Sequence, residues 1–351
     1  MKISNFSNII SQDINNIIID ELPWEKFSGS KIVITGASGL IGSYLTRALL
    51  SLHTSGKVQQ PIQVVGIVRN IAKAKNRFAD LDEDINLTFI ECNLCNPENL
   101  KVDADWFIHA ASHASPKHYN IDPIGTLAPN VIGTYHLLKL AQAAGAKSFV
   151  FISSGEIYGD VGMDTDLTEK NYGTIDPSLI RSSYAESKRM GENICISWMH
   201  QFGLPIHIIR PFNTYGPGLD LKDGRVFVDF AADVITGRDI HIKGDGISRR
   251  SFCYISDAIR GIFHVILRGD AGESYNVANP DGDLSILELA NLMANIFPEK
   301  NLQIRQDNAN KNKNLSNQFK KILPDVKKLE RLGWKAKISS TEGFKRMVNS
   351  Y

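Results

Sequence analysis

The sequence predicts an α/β protein, a doubly wound parallel sheet with helices on both faces, joined to a smaller α/β lobe. Three observations predict it. From Lys31 to about Ile209, short apolar runs of strand length alternate with longer segments of helical period. The first run passes straight into a glycine turn and an apolar helix start, Lys31-Ile-Val-Ile-Thr-Gly-Ala-Ser-Gly-Leu-Ile-Gly42. From Asn213 onward, glycines and charged loops break the alternation, as expected where a second lobe is built from inserted segments.

In chain order, residues 1–29 read as a helical extension. Its apolar stretch, Asn8 to Ile19, is interrupted by polar residues and has neither a basic leader nor a small-residue cleavage site, so it is not a signal peptide. Pro23 is expected to end the helix and Trp24 to anchor the linker. Strands are expected at 31–35, 62–68, 87–91, 105–109, 147–153 and 206–210, with helices in the intervals, including 130–145 and 184–202. Residues 30–212 form the nucleotide-binding domain. Residues 213–351 form mainly the second lobe, interleaved with the sheet and containing short strands at Ile240–Ile242 and Tyr275–Val277. The polar stretch from Asp307 to Asn317 is expected to be a loop.

Composition narrows the function classes. A formal net charge of +1 over 351 residues gives no electrostatic reason for nucleic acid or an anionic membrane as partner. No apolar run approaches the ~20 residues that span a bilayer. Four cysteines fit a reducing, cytoplasmic setting. Cys92 and Cys95 form a lone C-x-x-C without a second pair, and His109 and His113 read as core or loop residues, so no metal site is expected.

The glycine turn reads as a dinucleotide-binding unit of Rossmann type. Gly36 permits the sharp turn, Gly39 lets the backbone approach a pyrophosphate, and Gly42 lets helix and strand pack closely. Amides from Ser38, Leu40 and Ile41 open the helix, where its dipole favours phosphate. About 140 residues on, Tyr184-Ala-Glu-Ser-Lys188 places tyrosine and lysine on one helix face. A phenol with a pKa near ~10 becomes a usable base when positive charge lies close. Such a tyrosine can take a proton from a sugar hydroxyl while the same carbon loses hydride. Upstream, Lys147-Ser-Phe-Val-Phe-Ile-Ser-Ser154 reads as a buried strand ending in hydroxyls. Ligands bind beyond the carboxyl ends of such strands, which places Ser154 beside that hydroxyl and Glu156 near the next sugar carbon.

These motifs, with Ile209-Arg-Pro-Phe-Asn-Thr-Tyr-Gly-Pro217, Asp223-Gly-Arg-Val226, Gly244-Asp-Gly246 and Arg249-Arg-Ser-Phe-Cys-Tyr-Ile-Ser-Asp257, resemble the extended short-chain dehydrogenase/reductases that act as nucleotide-sugar epimerases and dehydratases. The resemblance runs from about Lys31 to about Met293 and looks closest to UDP-glucuronate decarboxylases, with 4,6-dehydratases and 4-epimerases sharing much of it. It implies that Asn93 and Leu94 flank the adenine and that Ala110, Ala111 and Ser112 line the cofactor. It further implies that Tyr184 and Lys188 are the catalytic pair, also touching the cofactor, with Ser154 where the family usually has threonine. Asn213 would bind the nucleotide sugar, Arg225 would lie near the base, and Arg250 would hold the diphosphate or a sugar substituent. Homodimerisation through helices 130–145 and 184–202 is implied in the same way.

Two departures matter. Gly155 stands where decarboxylases of this group carry serine and dehydratases aspartate, so neither reaction has its full set of side chains. Arg69 ends the strand at which NAD-selective relatives carry an acid, with Lys73, Lys75 and Arg77 close behind. The cofactor is therefore NAD or NADP, tilted toward NADP. The expected function is hydride transfer at C4 of a nucleotide-diphosphate sugar in a dehydratase, decarboxylase or epimerase. The alternatives are an NADPH-dependent 4-keto-6-deoxy nucleotide-sugar reductase and a non-enzymatic NADP-sensing regulator.

Overall fold

A computed structural model describes residues 2–81, 84–97, 100–162, 166–307 and 323–351. Seven strands form one parallel sheet: β1 (Lys31–Thr35), β2 (Gln63–Val68), β3 (Leu87–Glu91), β4 (Trp106–His109), β5 (Ser148–Ile152), β6 (Ile206–Pro211) and β7 (Ser274–Val277). Their spatial order is β7-β6-β5-β4-β1-β2-β3. The order reverses between β1 and β4, and that switch point opens a crevice at the carboxyl ends of the strands. β4 and β5 are buried along their whole length, as helices on both faces require.

Each expected strand is present within a residue or two. Tyr275–Val277, assigned from sequence to the second lobe, instead completes the main sheet, pairing parallel with β6 from Ser274↔Ile208 to Val277↔Pro211. Ile240–Ile242 is a strand of the second lobe, paired with Ile304–Gln306. The expected helix at 130–145 begins as a π-turn, Pro129–Gly133, and becomes α-helical over Thr134–Ala143 (α4). Of the expected loop 307–317, residues 308–317 lie outside the described residues.

The N-terminal extension is the helix Lys2–Ile18 (α1), laid against Leu40–Thr54 (α2) and the buried helix Ile255–Arg268 (α6). It stops five residues before Pro23, so proline is not what ends it. The chain is pulled off by Asp20, whose carboxylate accepts from Arg260 at 2.7 Å, His264 at 3.0 Å and Lys337 at 2.9 Å. Burial pushes that carboxyl's pKa up, and these three donors outweigh it and hold it well below the usual range. Asp13, fully buried on α1, receives Tyr44 Oη at 3.0 Å, Tyr254 Oη at 2.8 Å and Arg346 Nη1 at 3.0 Å. Trp24 is buried edge-on against Phe263, with centroids 5.0 Å apart. The extension is thus integral to the core beneath α2. No helix of the described residues is long and apolar enough to cross a membrane.

Candidate active site

A cleft of about 1500 Å³ runs along the carboxyl edge of the sheet, large enough for two ligands the size of a dinucleotide and a nucleotide sugar. One half is built from the ends of β1, β2 and β4. Gly36 adopts φ +66°, and a Cβ there would fall 2.8 Å from Ala111 Cα. A Cβ on Gly42 would fall 2.3 Å from Gly36 O, so only glycine lets α2 start this close to the turn. Above Gly39 the space is open apart from Gly36 O at 3.1 Å, a cradle that an added side chain would fill. Ser112 Oγ is buried in the same wall, facing the Tyr184 phenol. A shaped backbone cradle at a helix start, which an added Cβ at Gly36, Gly39 or Gly42 would fill or clash with, fits a dinucleotide pyrophosphate.

The other half centres on Ser183–Phe202 (α5), whose first turn buries Tyr184 and Lys188. Burial pushes the Tyr184 phenol up to about 12; the Ser154 and Ser112 hydroxyls and Arg225 pull against it, while Glu156 adds to it. The phenol ring stacks on Tyr119, centroids 4.9 Å apart and 10° from parallel. Lys188 Nζ donates to Ile152 O at 2.6 Å and lies 5.9 Å from the Tyr184 ring centroid, so the ammonium sits under the ring face and the last carbonyl of β5 orients it. Burial pulls its pKa down to about 7.

One turn further on, Glu192 accepts from Ser153 Oγ at 2.5 Å and from Arg210 at 2.9 and 2.7 Å. This pair, nearly closed to solvent, bolts α5 to β5 and β6. Sequence reading missed Glu192, although its i+4 spacing from Lys188 put it on the same helix face. It also missed Tyr119, for which no local signal exists.

The structure brings most predicted residues to this cleft. Ser38, Gly39, Leu40, Ile41, Gly42, Arg69, Ala110 and Ser112 line the first half, and Ser154, Glu156, Asn213, Arg225 and Arg250 the second. Gly36 and Ala111 lie just beneath the surface, against each other. Asn93 and Leu94 are not on this wall: Leu94 is buried against Gly133, and the Asn93 side chain accepts from Cys95 N at 3.1 Å. Arg77 lines the same cleft as Arg69 but is held away from it by its own partners. It donates to Gly218 O at 2.8 Å and Ser43 Oγ at 3.1 Å, tying the end of α3 (Ile71–Arg77) to the second lobe.

His109 is a core residue. Its Nδ1 meets Thr35 Oγ1 at 2.7 Å, and burial lowers its pKa to about 3, which keeps it neutral.

On the second-lobe wall, Arg225 is neutralised by Asp223 at 2.5 Å. Arg250 and Arg181, the latter three residues before Tyr184, have no carboxylate partner among the described residues. Arg181 escaped the sequence reading because an arginine before a helix reads equally as a solvated charge. Gly155 is explained by packing: a Cβ there would fall 2.6 Å from the Phe212 ring, which stacks on Tyr158.

Comparison with known proteins bears on this geometry. The sequence model of the NAD dependent epimerase/dehydratase family matches residues 32–278. UDP-glucuronic acid decarboxylase 6 of Arabidopsis thaliana is 31% identical over 328 residues, covering 92% of this chain and 89% of the plant protein. Decarboxylase 1 of the same plant is 32% identical, covering 92% of this chain and 69% of its own. Among solved structures, a dTDP-glucose 4,6-dehydratase from Streptomyces venezuelae with NAD bound superposes with a TM-score of 0.74 at 25% identity, covering 92% of this chain and 96% of that one. A UDP-glucuronic acid 4-epimerase from Bacillus cereus, in complex with UDP-glucuronic acid and NAD, shares the fold with a TM-score of 0.73 at 23% identity, covering 91% of this chain and 98% of that one. With the glycine cradle and the buried tyrosine and lysine on one sheet edge, these likenesses place the chain among the enzymes of the NAD-dependent epimerase/dehydratase family.

Proposed function

We propose that this enzyme oxidises C4 of a nucleotide-diphosphate uronic acid, releases the C5 carboxylate as carbon dioxide, and reduces C4 again without net consumption of reductant. The observation that carries the reading is the pair of guanidinium groups, Arg181 and Arg250, in the cleft that holds Tyr184, neither ion-paired to a carboxylate among the described residues and only Glu156 bearing on Arg250 from a distance. Two such cations call for a ligand with more than one anionic group, as a diphosphate and a sugar carboxylate together supply.

When bound, the nicotinamide ring supplies the hydride acceptor for C4. Tyr184 takes the proton of the C4 hydroxyl, which Ser154 orients. Lys188, fixed by Ile152 O, presents positive charge to the ring face and a donor to the cofactor ribose. A ketone at C4 makes the substrate a β-keto acid, so the C5–carboxylate bond breaks with its electron pair held as an enolate. Protonation at C5, for which Glu156 is the acid in reach, restores the ketone. Tyr184 then returns its proton to O4 as C4 is reduced.

Gly155 counts against dehydration, because expelling a hydroxyl from C6 needs an acid and the residue has no side chain to supply one, whereas loss of carbon dioxide from a β-keto acid needs no proton donor at the leaving group even without the serine that related decarboxylases carry. The intact Tyr184 and Lys188 pair supports catalysis over cofactor sensing alone. Exposed Ile132, Tyr135, Met190 and Ile196, on and beside α4 and α5, support a homodimer through that face. Free cysteines at all four positions support a reducing, cytoplasmic setting, and an activated sugar product suits glycan assembly.

The test is mass spectrometry of UDP-glucuronate incubated with the enzyme and no added reductant, with light scattering on the same preparation. Loss of carbon dioxide to a UDP-pentose by a dimer is expected. Oxidation of NADPH with 4-keto sugars only, and inertness toward every uronate, would replace this reading with the reductase.

A further inference from the structure

Arg69 and His113 approach the glycine turn from opposite sides. The register Thr35↔Ile67 puts Arg69, two residues past Ile67, level with Ala37 in the turn. The register Thr35↔His109 brings the loop after β4, with His113, past the other side of the same strand end. The two meet over it, Arg69 Nη1 to His113 Nε2 at 2.5 Å. Arg69, Lys73 and His113 line the same cleft as Ser38 to Gly42, and Lys73 Nζ has no partner among the described residues.

Among the described residues, no carboxylate lines this end of the cleft. Those on the cleft wall are Glu156, Asp160, Asp220 and Asp223, all carried by loops that follow β5 and β6. Glu91, at the end of the neighbouring β3, spends its carboxylate on Ile71 N at 2.9 Å and does not reach the wall. Asn70, beside Arg69, accepts from Lys73 N at 2.7 Å. A ribose 2′,3′-diol is gripped by an acid at the end of β2, and that acid repels a 2′-phosphate. Here the position offers a guanidinium whose one hydrogen bond among the described residues is with an imidazole nitrogen. A phosphate would give it a charge-assisted, two-pronged partner instead.

We propose that Arg69, Lys73 and His113 form a subsite for the 2′-phosphate of an adenine dinucleotide, so that the chain binds NADP more tightly than NAD. The proposal rests on the cleft holding a nicotinamide dinucleotide and is independent of the sugar reaction.

The experiment is calorimetric titration of the cofactor-stripped full chain with NAD⁺, NADP⁺, ADP-ribose and 2′-phospho-ADP-ribose, with no sugar present. At least threefold tighter binding of both 2′-phosphorylated ligands is expected, with Arg69→Asp moving the ratio toward NAD by tenfold or more. Lys73→Ala should move it by a smaller factor. Arg69→Gln, which introduces no acid, guards against a local folding defect and should abolish the preference without reversing it. A wild-type preference for NAD⁺, or a ratio that Arg69→Asp leaves within twofold, overturns the subsite. Failure of all four ligands to bind would remove the dinucleotide reading and the subsite with it.

Discussion

The two halves of the cleft are made differently. The cofactor half is centred on one continuous piece of chain, strand, glycine turn and helix, flanked by the ends of β2 and β4, with close backbone approaches that no other residue at Gly36 or Gly42 would allow. The sugar half is assembled from Arg181, Asn213, Arg225 and Arg250 on four separate segments, with Phe212 filling the space beside Gly155. Between them sits the buried first turn of α5. This division separates the chemistry, which needs fixed, water-excluded groups, from the choice of sugar, which needs exposed charge on segments that vary without disturbing the sheet.

The sharpest way to break that division is Tyr184→Phe. If the halves are separable, removing the hydroxyl lowers kcat by about 10² to 10⁴ while dinucleotide affinity stays within about twofold. Steady-state turnover and a cofactor titration on one preparation read both. Parallel collapse of affinity would mean that the phenol organises the cofactor half as well, and the division would fail.

The same division decided what the sequence made legible. The strands and the glycine turn follow from local periodicity and local backbone needs, so they could be placed within a residue or two. Tyr184, Lys188, Ser154 and Glu156 were found because helix spacing and strand ends are also local rules. Arg181 and Tyr119 could not be found that way: their place at the site depends on how distant segments fold over the sheet edge. Tyr275–Val277 was recognised as a short strand of a region interleaved with the sheet, but its pairing beside β6 could not be read, since joining the main sheet is a long-range event. Arg77 was counted with Arg69 by proximity in sequence and does line the same cleft, but its anchorage on Gly218 O could not be read from α3 alone.

A second test asks what the buried turn costs the fold. Burial pulls Lys188 from the usual 10.5 to about 7. Between those values the unfolded chain holds a proton that the folded chain has lost, so this group makes stability rise with pH across that window and withholds it below pH 7. In cofactor-free protein, Lys188→Met replaces a buried cation with an apolar chain of similar length. It should raise unfolding free energy at pH 6 by about 1–4 kcal/mol, with a smaller gain at pH 8.5 and activity lost at both. Urea melts at the two pH values measure the gap. A variant less stable than wild type at pH 6, or a gap indifferent to pH, would show that the hydrogen bond to Ile152 O outweighs the cost of burying the charge.

The smallest effect bears on the sugar half alone. Gly155→Ser supplies the hydroxyl that related decarboxylases carry, but its Cβ would fall 2.6 Å from the Phe212 ring. That ring stacks on Tyr158, centroids 6.1 Å apart, and Tyr158 Oη in turn bonds Asn276 at 2.5 Å and Arg210 at 2.9 Å. A shifted ring therefore presses on the group that anchors Glu192 and, through it, α5. The substitution should cost about 1–2 kcal/mol of stability and reduce turnover a few-fold, with KM for the sugar rising more than kcat falls. Gly155→Ser combined with Phe212→Leu should recover part of both, because the smaller side chain vacates the clash. A single Gly155→Ser change that raised turnover at no cost in stability would show that Phe212 yields easily. In that case the absence of a side chain at 155 would reflect the reaction this enzyme performs, and not the packing that surrounds it.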